Sequence, residues 1–108
     1  MRKRTLRVMG TGLGLALAAL APERVVAELR PYRSGVTSGN WLGHPSVLPF
    51  LRERLKTGGY VGIGEFHLHR VTESDRPHLQ AVIALSREHN VFLHVHSDAA
   101  AVEALYAI

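Results

Sequence analysis

Two short strings hold most of the chemistry in this chain: Gly62-Ile63-Gly64-Glu65-Phe66-His67-Leu68-His69 and Val91-Phe92-Leu93-His94-Val95-His96-Ser97-Asp98. Each is an apolar run that ends in residues able to bind a metal. Side chains alternate faces along a strand, so Glu65, His67 and His69 share one face, and His94 and His96 share one. If the two runs are neighbours in a parallel sheet, a carboxylate and up to four imidazoles converge at one edge. Such oxygen and nitrogen donors suit a divalent ion, zinc first, with manganese or iron as alternatives. The metal-ligand candidates are therefore Glu65, His67, His69, His94 and His96.

These candidates do not weigh equally. An uncompensated charge at the end of an apolar strand costs several kcal/mol, so Glu65 calls for a cation or for a salt bridge from Arg30 on the preceding strand. His96 is otherwise a core or cap histidine bonded to a backbone carbonyl. His94, two residues deeper, reads as a ligand or as a buried partner of one. His67 and His69 read as ligands, substrate contacts or exposed loop histidines. His44, His78 and His89 flank or ride helices and read as surface residues. Asp98 reads as a helix cap, with orientation of a ligand histidine as the alternative.

The elements that must position these groups form three β-then-α units. Residues 24–30 are a β-branched run and predict the first strand. Residues 31–43 form a polar, glycine-rich loop, long beside the ~2–6 residues usual for a βα connection. Loops at that end of a strand carry substrate contacts in barrel folds, which makes Trp41 a substrate-binding candidate; Arg30, at the end of the preceding strand, is the other, as a contact for an anionic substrate group. Trp41 has an alternative role as an anchor packed on the barrel rim. Residues 46–56 predict a helix with an apolar stripe of Val47, Leu48, Leu51 and Leu55, ended by Thr57-Gly58-Gly59. Residues 60–66 predict the second strand. Without a bulge, alternation puts Gly62, Gly64 and Phe66 on one face and Val61, Ile63, Glu65 and His67 on the other. Ser74 and Asp75 are candidate caps for a helix over residues 78–89, which Asn90 ends in a left-handed conformation. Residues 91–96 predict the third strand, and Ser97 or Asp98 caps a last helix over 99–108 with Val102, Leu105 and Tyr106 facing inward. Strand starts about 36 and 31 residues apart match βαβ spacing and predict a parallel α/β sheet.

The order Gly62 to Glu65, then an apolar strand ending His96-Ser97-Asp98-Ala99, resembles the TatD-like branch of the amidohydrolase superfamily. Leu29-Arg30-Pro31-Tyr32 is a weaker match to that family's Gly-x-His-Pro string, with Arg30 in place of the histidine. Phe66, His67 and His69 also depart from the family pattern, His69 replacing an aspartate. The resemblance covers roughly residues 24–108 and implies parallel βα units from a TIM (β/α)8 barrel. It implies a metal-dependent hydrolase in which metal-activated water attacks an amide, ester or phosphodiester of a small-molecule substrate. Glu65 and His96 match the family's metal-ligand glutamate and histidine and are the catalytic candidates.

Length limits this expectation. A complete barrel takes ~250 residues, and the chain has 108, so the reading is a fragment of one. The isolated chain is accordingly expected to bind metal weakly, to be catalytically inactive and to self-associate through open sheet edges. The alternative function is a non-catalytic partial barrel or interaction module. The chain lacks cysteine, which excludes disulfides and thiolate metal sites. Its net charge of +4 owes much to Arg2, Lys3, Arg4 and Arg7. Elsewhere basic and acidic residues interleave without an aromatic-basic stripe, so no nucleic-acid partner is expected. Residues 1–23 form a separate segment, basic and then apolar. It reads either as a barrel helix over residues 13–20 or as a secretory-type signal, and its apolar run is too short for a stable membrane span of ~20 residues. Pro22, directly after the small-x-small string Ala19-Leu20-Ala21, favours the helix and a cytoplasmic chain over an exported one.

Overall fold

Alternating strand and helix patterns place the chain in an α/β arrangement, seen in a computed structural model that describes residues 6–10 and 13–108. The elements run β1 (Leu6–Gly10), α1 (Leu13–Leu20), β2 (Val25–Leu29), α2 (Val47–Lys56), β3 (Tyr60–Leu68), α3 (Arg76–His89), β4 (Phe92–Ser97) and α4 (Ala99–Tyr106), with a 3-10 turn over Glu73–Asp75 before α3. The strands form one parallel sheet in the order β1-β2-β3-β4. Each strand therefore lies beside its predecessor, and the described sheet has no reversal of order. The first strand read from sequence is thus the second in space. Leu6–Gly10, read only as part of the basic and apolar leader, pairs with Val25–Leu29. The helix expected over residues 13–20 is α1. Arg2, Lys3 and Arg4 lie outside the described residues.

One apolar core draws on all four helices. Val47, Leu51 and Leu55 of α2, Leu79, Val82 and Leu85 of α3 and Ala101 of α4 meet Ala27, Leu29, Ile63, Phe66 and Leu68 of the sheet, with Leu15, Ala18 and Leu105 at the margins. The helices thus cover one face of the strands. By alternation, the residues between these core positions belong to the opposite face.

Several expectations change on this frame. β3 carries a bulge: Gly64 pairs with His94 and Phe66 with Val95, which leaves Glu65 as the extra residue. The bulge resets the alternation, so Ile63, Phe66 and Leu68 all enter the core, whereas unbroken alternation assigned Phe66 to the glycine face. The Gly64–Glu65 peptide is cis. Asp75 occupies the N-cap of α3, but its side chain makes no cap bond there. It turns back and accepts the Thr72 N–H at 2.8 Å. Asn90 ends α3 in the left-handed region as expected, at φ 52°. In α4, Val102 and Tyr106 are 40% and 89% exposed, and Ala101 is the buried residue. The reason is that α4 rests on the sheet along one side only, and among the described residues nothing covers its other side.

Candidate metal centre

The face of the sheet away from the helices carries a concentration of carboxylates and imidazoles. Glu28 on β2, Glu65 and His67 on β3, and His94 and His96 on β4 lie together, with His69 just past the end of β3. Two glycines make this crowding feasible. Gly62 pairs with Glu28 on one side and Phe92 on the other, and Gly64 pairs with His94. β2 and β4 are two strand spacings apart, about 10 Å. Glu28 and His94 nevertheless meet, with His94 Nδ1 3.0 Å from Glu28 Oε2, because β3 presents no side chain between them. A Cβ at Gly64 would run into the His94 carbonyl and lie 2.7 Å from His94 Cβ, and one at Gly62 would lie 2.8 Å from Phe92 Cδ2.

His94 links the two carboxylates. Its other nitrogen, Nε2, lies 3.4 Å from Glu65 Oε2, and His96 Nδ1 lies 3.9 Å from Glu65 Oε1. The His67 and His96 rings stack almost parallel, 4.5 Å between centroids and 11° apart. His67, His69 and His96 each offer a ring nitrogen within 4.8 Å of the others. Three convergent neutral-imidazole donors are a donor set that zinc, among other divalent ions, accepts, so these histidines can hold a metal ion. His96 is 58% exposed at its side chain, which leaves the cluster open to water and substrate. Asp98 has two jobs at its edge. Its Oδ1 accepts the Ala101 N–H at 2.8 Å and caps α4, and its Oδ2 faces His69 Nδ1 at 3.6 Å. The Ala101 N–H, more than any other neighbour, holds the Asp98 carboxyl below its ordinary range.

The strand that bears Glu65 and His67 is braced by side chains in place of a neighbouring strand. The last pair between β2 and β3 is Leu29 with Ile63. Beyond it, three residues of the following segment bond the peptide groups of β3. Arg30 Nε donates to the Glu65 carbonyl at 3.0 Å, the His67 N–H donates to the Tyr32 hydroxyl at 2.6 Å, and Trp41 Nε1 donates to the His67 carbonyl at 2.8 Å. Arg30 also lies over the Tyr32 ring, 4.7 Å from its centroid. Burial pushes the Tyr32 phenol up, against the hydrogen bond from His67.

All five metal-ligand candidates therefore reach the same face. Arg30 and Trp41, expected at substrate, are found holding the ligand-bearing strand. Trp41 is 2% exposed and packs on Phe66 at 4.6 Å, the anchor role, although its edge also borders a polar cleft with His67, His69 and Asp75. Arg30 meets Glu65 at the backbone carbonyl. His44, read as a surface residue, is half-buried and accepts the Ser46 N–H through Nδ1 at the start of α2. Two residues escaped the sequence reading. Glu28 was findable by the logic applied to Glu65, as a lone carboxylate within Val25-Val26-Ala27-Glu28-Leu29. Tyr32 gave no signal, because its role depends on where β2 stops pairing.

No family model matches the chain, and no curated protein or solved structure matches it. Among the described residues no helix is long and apolar enough to cross a membrane.

Proposed function

We propose that this chain carries the metal centre of a metal-dependent hydrolase of the amidohydrolase type, acting on an amide, ester or phosphodiester of a small molecule. The observation behind the reading is the cluster of His67, His69 and His96 beside Glu65 at the carboxyl ends of β3 and β4. Parallel α/β sheets gather their ligands at that end. The unreversed strand order also fits consecutive units of a (β/α)8 barrel. Zinc is the ion proposed, with manganese or iron as substitutes; when bound, it supplies Lewis-acid polarisation of the scissile centre and acidifies a water.

The chain's own residues orient and hold. Arg30, Tyr32 and Trp41 fix three successive peptide groups from the Glu65 carbonyl to the His67 carbonyl, and so set the directions of Glu65 and His67. Asp98 holds His69 from behind. Glu65 faces both His94 and His96, where its carboxylate can serve as a ligand or take a proton from an attacking water. The test is zinc uptake by the full chain, followed by competition with a chromophoric chelator. One ion per chain is expected, with affinity reduced at least tenfold in His69→Ala and His96→Ala. A chain that takes up no zinc, or variants that bind it as the wild type does, would refute the reading.

A second reading has its own observation. The apolar side chains left open along α4 favour a partial barrel that associates with other protein surface and performs no chemistry. It predicts self-association without any dependence on zinc.

A further inference from the structure

Glu28 is 0% exposed, the only charged residue buried to that degree among the described residues. Its Oε2 lies 3.0 Å from His94 Nδ1, and its Oε1 has no hydrogen-bond partner among the described residues. A carboxylate so placed needs a strong reason to remain in an otherwise apolar strand.

We infer that Glu28 is a positioning residue of the metal centre: it accepts the Nδ1 proton of His94 and so turns Nε2 toward Glu65 as a metal ligand. This rests on the reading above that the polar face binds a divalent ion. With Nδ1–H given to Glu28, the neutral ring has a bare lone pair at Nε2. That lone pair lies 3.4 Å from Glu65 Oε2. Two donors each ~2.1 Å from one tetrahedral ion lie ~3.4 Å apart, so the two atoms stand where a single ion can take both. Histidine ligands commonly give their second nitrogen to a carboxylate, which fixes the tautomer and raises the basicity of the ligating one. The glycines of β3 are what let Glu28 do this from two strands away. His94 thereby joins Glu65 as a ligand pair next to the histidine cluster.

The deciding measurements use the full chain labelled with 15N at histidine. Long-range proton–nitrogen spectra report which ring nitrogen of His94 carries hydrogen. A proton on Nδ1 in the wild type is expected, whether or not Nε2 also carries one before zinc is added. In Glu28→Leu the proton moves to Nε2, facing Glu65, and zinc affinity falls about 10–100-fold. In Glu28→Gln the side-chain carbonyl still accepts Nδ1–H, so the tautomer is kept and the affinity loss is smaller. A merely structural Glu28 would leave both the tautomer and the zinc affinity in place in any variant that folds. The inference is overturned by a bare Nδ1 in the wild type, or by folded variants that bind zinc as tightly as the wild type. Should the Leu variant not fold, the wild-type tautomer and the Gln variant decide. A wild type that takes up no zinc overturns the hydrolase reading and the ligand role of His94 together. A proton on Nδ1 then still shows, separately, that Glu28 orients the ring.

Discussion

His67 is held by its peptide more than by its ring. Its N–H goes to Tyr32 and its carbonyl receives the Trp41 indole, so a loop tryptophan governs a candidate ligand through its peptide group. Trp41→Phe keeps an aromatic ring against Phe66 and removes only the indole donor. Leaving a fully buried carbonyl unpaired costs about 1–3 kcal/mol, and this part-buried one lies at the lower end of that range. Urea unfolding should show a loss near that lower end, and zinc affinity should fall with it; an unchanged midpoint would mean the bond contributes nothing. Gly64 makes a second residue-scale case. At φ 148° and with the His94 carbonyl in the path of any Cβ, Gly64→Ala should destabilise by at least the ~1–3 kcal/mol typical of overpacking, measured by the same unfolding curves. Glu65 and His96 could be singled out in the sequence because each ends an apolar run. Tyr32 could not, because a phenol standing in for a missing strand leaves no periodic trace.

At the scale of elements, helix stripes and turn residues could be read directly. Leu51 lies in the α2 stripe and is fully buried in the core. Leu51→Ala should cost about 2–5 kcal/mol, seen as an earlier denaturation midpoint with an unchanged slope. The bulge in β3 was not readable, since the string Gly62-Ile63-Gly64-Glu65-Phe66 is compatible with either face for Phe66. Packing decides it: the ring enters the core against Trp41, and Glu65 becomes the extra residue. The short strand β1 was hidden because Leu6–Gly10 merges with the apolar run behind it. Asp98 joins two elements, capping α4 while facing His69. The Ala101 N–H most of all, and then Arg70 and His69, hold its carboxyl below the ordinary 3.8, against an upward push from desolvation that is smaller than the Ala101 effect alone. A pKa lower in the folded than in the unfolded chain adds stability that is fully present above the unfolded value. It is lost as pH falls through the folded one. The gap in melting temperature between the wild type and Asp98→Ala should therefore be full near neutrality and close as pH drops below 3.8. A gap that stays constant down to strong acid would show that the charge of Asp98 contributes nothing to the cap.

For the whole molecule the decisive fact is one-sided cover. Four helices shield one face of the sheet, while His69 and His96 on the opposite face and the flank beyond α3 stay accessible. β1 and β4 are the outer strands of the described sheet, and a groove of ≈ 460 Å³ runs between α3, β4 and α4, lined by Leu93, Val95, Val102, Leu105 and Tyr106 among others. Apolar surface left in water forgoes about 25 cal/mol for each Å² that burial would remove, so contact between chains along this flank is favourable. The 108-residue chain should therefore sediment as a concentration-dependent mixture and bind a hydrophobic dye. Charging two exposed positions along this flank, Val102→Glu with Tyr106→Lys, should shift the chain toward monomer. The pair should change stability by no more than about 0.5 kcal/mol per site, as is usual for surface substitutions. The same openness limits chemistry. A hydrolytic centre needs its ligands held to within ~0.5 Å by a surrounding frame, and here His69 and His96 stand exposed at free strand ends. Zinc should consequently bind weakly to this chain, and a small activated ester should not be turned over above the rate of free zinc. A dye-silent monomer at every concentration, turning over ester in proportion to bound zinc, would mean that this sheet alone is frame enough.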